Sequence, residues 1–309
     1  MEGQNYDLLI IGAGPAGLTA SIYASRYKIK HAVLGSLPGG TITEAHKICN
    51  FPSEANINGW DLAQKIESNA RQLGAEFMTS EAVAISGQYP NFAVELASGQ
   101  VLLTKSILLA TGTKRRHLGL DNEQQYLGKG LAYCATCDGP FFKDKLVGVL
   151  GGGNSAATAA LYLADIARQV YWFYLGDRPE AAEPSWLEEI DKRANIKHYP
   201  NVKVNQLLGD NHLTGVELIN SDHQTSQLNI DGLFIEIGSD PATGLLQQLN
   251  GQINDRGYAI VDAGQATTVA GVWAAGDATS NSNGLRQIIT ACSEGAIAAD
   301  SIFRFLKKN

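Results

Sequence analysis

The sequence predicts an α/β protein built from two doubly wound, parallel-sheet domains, the second inserted in the first. Three observations carry this. An apolar run, a glycine loop, a helical stretch and another apolar run follow one another near the N-terminus, and the same order returns after residue 144. Two further strand-like segments, Ser106–Gly112 and Gly271–Asp277, lie on either side of the second copy, as the halves of an interrupted domain require.

In the first copy Tyr6–Ile11 reads as a buried strand, Gly12-Ala13-Gly14-Pro15-Ala16-Gly17 as the loop, Leu18–Tyr27 as the helix and His31–Leu34 as the next strand. That order is the context a dinucleotide fingerprint needs. Gly12 permits the tight turn, Gly14 lets the backbone approach a pyrophosphate, and Gly17 lets the helix pack on the strand. The helix N-terminus supplies free N–H groups for phosphate. The second copy runs Lys145–Leu150, Gly151-Gly152-Gly153-Asn154-Ser155-Ala156, Ala157–Ala167 and an unusually aromatic strand, Gln169–Leu175. Two complete Rossmann-like openings imply two dinucleotide-binding domains. Ser106–Gly112 ends in the turn Ala110-Thr111-Gly112. Gly271–Asp277 ends in Gly276-Asp277, with a helix from about Arg286. The expected domains are therefore 1–113 with 244–309, and 114–243.

A chain of 309 residues is long enough for two cores. Its net charge of -7 argues against nucleic-acid binding. The local run Lys114-Arg115-Arg116-His117 reads either as a solvated hinge or as a docking patch for an acidic partner. No apolar stretch is long enough to span a bilayer, and the polar Met1–Asp7 segment does not read as a secretory signal. Few cysteines point to a reducing, cytoplasmic setting.

Cys134-Ala135-Thr136-Cys137-Asp138 is the chemical centre of the sequence. A zinc site would need a second close Cys/His pair, and none exists among the four cysteines. The reading is a redox dithiol with no metal. Only a thiolate attacks a disulfide, so one cysteine needs a depressed pKa. Asp138 is expected to protonate the departing thiolate, against the plainer reading of a helix cap. Cys49 and Cys292 read as small buried hydrophobes.

With these residues the chain resembles the low-molecular-weight thioredoxin reductases over essentially its whole length. The resemblance is carried by Gly12–Gly17, Asn50-Phe51-Pro52, Ala110-Thr111-Gly112, Tyr133-Cys134-Ala135-Thr136-Cys137-Asp138-Gly139, Ala275-Gly276-Asp277 and Arg286-Gln287. The larger disulfide reductases do not fit, since they use a C-terminal histidine and none follows His223 here. The resemblance implies FAD in the first domain. Gly12, Gly14 and Gly17 hold its pyrophosphate, Asp277 its ribitol, Arg286 and Gln287 lie beside the isoalloxazine, and Asn50 lies near its reactive edge. Pro15, Ala16, Gly40, Ala110, Thr111, Gly112, Gly276 and Ile288 complete the cofactor-binding set. Leu34-Gly35-Ser36 departs from the family by lacking an acid for the adenosine ribose. Cys137 is implied as the flavin-facing thiol and Cys134 as the thiol that attacks a thioredoxin-like partner. A homodimer is implied as well. A dithiol on the inserted domain must meet the flavin and then its partner, so a domain rotation is expected about hinges near Gly112 and Gly238, where glycine permits the backbone change.

The second nucleotide site, expected at Gly151, Gly153, Asn154, Ser155, Ala156, Trp172 and Tyr174, departs from the family. Where a His-Arg-Arg motif grips the 2′-phosphate of NADPH, this chain reads Tyr174-Leu175-Gly176-Asp177, with Arg178 displaced. Charge-assisted arginine bonds are the strong ones for phosphate, so the expectation is a donor other than NADPH. The pattern resembles the pyridine-nucleotide-independent branch, in which ferredoxin supplies electrons. It also resembles diflavin-linked relatives, in which a second FAD fills the site. NADH or NADPH use, the latter through Arg178 or a lysine, is the alternative. A flavin-binding redox sensor is the alternative from another class and requires an inert dithiol. Trp172 and Phe173 read either as ligand-stacking or as core residues.

Overall fold

The computed structural model describes residues 5–179 and 181–308; the first four residues of the polar Met1–Asp7 segment lie outside them. The chain divides into two compact units, Met1–Lys114 with Asp240–Asn309, and Arg115–Ser239.

The first unit has a seven-stranded sheet. Its strands are β1 (Asn5–Ile11), β2 (His31–Leu34), β3 (Glu76–Met78), β4 (Ala82–Gln88), β5 (Asn91–Leu96), β6 (Val101–Leu109) and β17 (Val272–Ala274), in the order β3-β2-β1-β6-β5-β4, with β17 also on β6. The β3-β2-β1-β6-β17 region is parallel and β4-β5-β6 is an antiparallel meander. Both faces of β1 and β2 are covered, which is why their sequences are almost continuously apolar. β6 starts five residues before the expected Ser106. Its first half alternates buried and exposed with the meander, and Ser106–Leu109 is buried throughout. Helices α1 (Pro15–Arg26) and α8 (Ile288–Lys308) pack on one face through Ala16, Ala20, Ala24, Ala291, Ala298 and Ala299, whose small side chains allow close backbone approach. Helices α2 (Gly59–Gln72) and α7 (Gly244–Gln248) complete this unit.

The second unit has a fully parallel sheet, in the order β11-β10-β9-β15-β8. Its strands are β8 (Leu131–Ala132), β9 (Leu146–Leu150), β10 (Gln169–Phe173), β11 (Ile196–Tyr199) and β15 (Gly232–Ile235). On one side lie α5 (Asn154–Ala164) and α6 (Pro184–Ile190), with Trp172 and Phe234 in the shared core. On the other lies a meander of β12 (Val202–Leu208), β13 (Gly215–Asn220) and β14 (Thr225–Asn229), packed on Phe173 and Leu150. Two one-turn helices, α3 (Glu123–Tyr126) and α4 (Ala135–Asp138), flank β8. The two connecting segments, β7 (Thr113–Arg115) and β16 (Ser239–Pro241), pair with each other as a ribbon. No helix among the described residues is long and apolar enough to cross a membrane.

Candidate active site

In the second unit β8 runs through Tyr133 into α4, and the two cysteines sit on that turn. Cys134 caps the helix, its Sγ accepting from the Cys137 N–H at 3.1 Å, and the two sulfurs are joined as a disulfide with a Cα–Cα distance of 5.3 Å. Cys134 is half-buried and Cys137 exposed. Burial pushes the neighbouring Asp138 carboxyl up from its ordinary range, so it keeps a proton at higher pH than a solvated aspartate. Beyond Asp138 the chain turns through Gly139–Phe142. Phe142 is buried edge-on against Phe234, whereas Phe141 is 75% exposed. An openable disulfide beside a proton-holding carboxyl can perform thiol–disulfide exchange.

The basic run before this turn is not a free patch. Arg115 pairs with Glu236 at 3.0 Å and His117 Nδ1 lies 2.9 Å from Glu123. Cys49 is also not buried as expected. It is Ile48 that turns inward and pairs with Ile57, which leaves Cys49 exposed. Cys292 is partly buried, and that burial pushes its thiol up.

In the first unit the glycine loop joins β1 to α1. A Cβ on Gly12 would lie 2.0 Å from the Ala110 carbonyl oxygen, and one on Gly17 1.9 Å from that of Gly12. Both contacts exclude any side chain. Gly14 caps the 12-residue α1 with no side-chain hydrogen bond, Pro15 follows it, Ala16 is buried, and Gly40 packs on the Gly14 backbone. The Ala110 N–H bonds to Ile11, and Thr111 Oγ1 donates to the Ala242 carbonyl beside Gly112, which accepts from the Ala242 N–H. Asp277 is pushed up by burial, Arg286 opposing and Glu294 adding to the shift, and its carboxylate accepts from none of the described residues. A crowded loop, open helix amides and an unspent acceptor fit the pyrophosphate and polyol of FAD. Asn50 Nδ2 donates to Gln287 Oε1 at 3.0 Å, and Ile288 opens α8 against Ile48, Ile57 and Leu62. Arg286 stacks its guanidinium on Tyr258, 3.9 Å from the ring centroid.

The second glycine loop keeps its shape. A Cβ on Gly151 would meet the Glu236 carbonyl oxygen at 2.1 Å, and Gly153 caps the 11-residue α5, whose first turn holds Asn154, Ser155 and Ala156. Its aromatic neighbours are core rather than a stacking surface. Trp172 is fully buried and donates from Nε1 to the Gly151 carbonyl at 2.7 Å, and Tyr174 is buried against it. Asn154 is latched to Glu183, accepting its N–H at 2.7 Å and donating to its carboxylate at 2.9 Å.

Residues 6–295 match the family model described as pyridine nucleotide-disulphide oxidoreductase. The chain belongs to this family. Within it the oxidoreductase is of the low-molecular-weight thioredoxin reductase type. It is 36% identical to the thioredoxin reductase of Mycoplasma pneumoniae over 299 residues, 96% of this chain and 94% of the relative. It superposes on the crystal structure of Lactococcus lactis thioredoxin reductase with a TM-score of 0.94 at 30% identity, over 98% and 100% of the two chains. A ferredoxin-flavin thioredoxin reductase from Clostridium acetobutylicum is more distant, with a TM-score of 0.54 at 26% identity over the whole of both chains. The oxidoreductase is thus a flavin-dependent α/β enzyme with Rossmann-like domains. Its relatives weigh toward a pyridine-nucleotide donor over the expected ferredoxin.

Sequence reasoning missed Glu294. This buried carboxylate accepts from the Gly276 N–H at 2.8 Å, Thr279 Oγ1 at 2.9 Å and Ser282 Oγ at 2.5 Å, which holds the loop that carries Asp277 in the oxidoreductase. A lone acid in the small-residue run Ala291–Ala299 was the available signal.

Proposed function

We propose that this enzyme reduces the disulfide of a thioredoxin-like protein, with FAD held by the first unit and electrons taken from a pyridine nucleotide that lacks a 2′-phosphate. NADH is then the preferred donor over NADPH. The observation that carries this is the end of β10. The glycine loop keeps its nucleotide-binding shape, yet the following turn offers the Asp177 carboxylate, held by Asn201 Nδ2 at 2.7 Å, where a 2′-phosphate needs cations. A phosphate dianion there would be desolvated without compensation. The thioredoxin reductase relatives support the partner class, and the family match supports a pyridine nucleotide in general.

In this reading FAD, held by the first unit, would pass the nucleotide's two electrons to the Cys134–Cys137 disulfide and leave both cysteines reduced. Cys134 then attacks the partner disulfide, forming a mixed disulfide, and Asp138 gives a proton to the departing partner thiolate. Cys137 attacks Cys134, which restores the internal disulfide and releases the partner as a dithiol. Exposed Phe141 gives that partner an apolar contact beside the exchanging sulfurs. The working form is a homodimer, as the resemblance implies.

The Asn154–Glu183 latch favours a second reading, because it places a carboxylate at the glycine loop where nucleotide phosphates approach. In that reading reduced ferredoxin is the donor. Anaerobic bleaching of the flavin absorbance decides between them. NADH should bleach it at lower concentration than NADPH, and Asp177→Arg should narrow the gap. Bleaching by reduced ferredoxin and by neither nucleotide would overturn the nucleotide reading.

A further inference from the structure

In the second unit the Glu123 carboxylate is almost wholly withdrawn from water, the residue being 4% exposed. Its Oε1 accepts from the Tyr133 hydroxyl and faces His117 Nδ1 at 2.9 Å, and its Oε2 accepts from the Gly119 N–H at 2.7 Å. The Tyr133 oxygen in turn accepts from the Leu118 N–H at 3.0 Å, and the His117 ring meets the phenol edge-on. The loop 117–119 and the start of α3 therefore converge on one phenol. That phenol belongs to the residue directly before Cys134.

The position matters because the sheet ends there. β8 is a two-residue strand at the edge of the sheet, paired with β15 and bridged at Leu131 to Leu127, and α4 does not begin until Ala135. Between them the chain is anchored by the Tyr133 side chain. Burial alone would push the Glu123 carboxyl up, but the donors from Tyr133, His117 and Gly119 more than reverse this and hold it below its ordinary range. Tyr133 is pushed far above its ordinary range by burial and by Glu123. These shifts favour the charged carboxylate and the protonated, donating phenol. A buried, fully bonded charge of this kind resists displacement, since moving it strands the charge and its donors.

We propose that Glu123 and Tyr133 form a positioning pair for the dithiol. The carboxylate fixes the phenol, and the phenol fixes the backbone from which the Cys134 sulfur projects. The pair touches no reacting atom. It rests on the exchange reading above and adds to it the part that sets the sulfur's approach.

The test uses full-length protein reduced with dithiothreitol and then freed of it, so no electron donor enters. Alkylation by iodoacetamide is followed at Cys134 and Cys137 separately by mass spectrometry, and exchange with a thioredoxin disulfide by stopped flow. Tyr133→Phe keeps the ring and removes both the hydrogen bond to the Glu123 carboxylate and the one from the Leu118 N–H, and should change both the Cys134 alkylation rate and the exchange rate by about threefold or more. Glu123→Gln keeps one acceptor and should lie between Tyr133→Phe and the parent. The double variant should match Tyr133→Phe rather than add to it, as expected when both act through one bond. Variants that melt lower but alkylate and exchange at parental rates overturn the pair. Additive effects in the double variant overturn it too. A parent that alkylates normally yet does not exchange overturns the proposed function instead, while the alkylation rates still judge the pair.

Discussion

Asn50 and Gln287, 237 residues apart in the chain, meet in a 3.0 Å hydrogen bond from Asn50 Nδ2 to Gln287 Oε1. The bond ties the loop before α2 to the residue that precedes α8, and both residues were singled out in the sequence for the flavin. Gln287→Leu should release FAD several-fold faster, because the loop loses its tie. The apoprotein should change by about 1 kcal/mol or less, as expected for an exposed hydrogen bond. Flavin absorbance per chain after gel filtration, with urea unfolding of the apoprotein, measures both.

Gly12 and Gly14 separate two demands on one loop. Gly12→Ala puts a methyl 2.0 Å from the Ala110 carbonyl at a φ of +116°, so it should destabilise the first unit by about 2 kcal/mol or more. Gly14→Ala meets the Gly39 oxygen only at 3.9 Å. It should fold normally and weaken FAD binding alone. Melting curves of both apoproteins, with FAD titrations followed by fluorescence, distinguish the two.

Asp138 carries the acid limb of exchange. Its folded pKa is raised by burial, so it contributes stability below the unfolded pKa, and that contribution is lost as pH rises through the folded value. The same sign governs the chemistry: exchange by prereduced enzyme should slow as pH climbs past that raised value. Asp138→Asn should lower the rate by about 10²-fold or more and flatten the profile. Stopped-flow exchange across a pH series provides the measurement.

His31 gives the first unit an acid sensitivity. Its Nδ1 bonds to the Ile29 carbonyl at 3.0 Å and so carries the proton, and Nε2 accepts from Ser21 Oγ at 2.8 Å. Burial lowers its pKa, with the Ile29 carbonyl and Glu76 opposing. A depressed folded pKa means full stability above about 6.5, the unfolded value, and loss as pH falls through the folded one. The urea midpoint should therefore decline between pH 7.5 and 5, and His31→Gln should make that decline shallower.

The glycine loops, the strands that feed them and the dithiol were legible because each depends on local backbone chemistry. Gly12 and Gly151 stand where any side chain would strike a carbonyl, and that demand leaves its mark on the residue itself. The β4–β5 meander was not legible: β4 reads Ala-Val-Ala-Ile-Ser-Gly-Gln, with Ser86, Gly87 and Gln88 all exposed, so alternation fades along it. Trp172 could be read as ligand platform or as core, since an apolar ring suits both, and packing against α5 and α6 made it core. Glu123 and Glu294 escaped notice for the opposite reason. Their partners lie on other segments, up to 18 residues away, and nothing in a single acidic letter records burial.

The β7–β16 ribbon has a consequence for how the chain assembles. It holds the ends of the inserted unit side by side. Once that unit is folded, the remainder of the chain closes across it as across a short loop. The closure entropy that a flexible segment of the same length would impose is then largely removed. The continuous unit, Arg115–Ser239, can complete its sheet without waiting for any residue outside it. The divided one cannot complete its sheet before β17, or its helical face before α8, and both follow the insert in the chain.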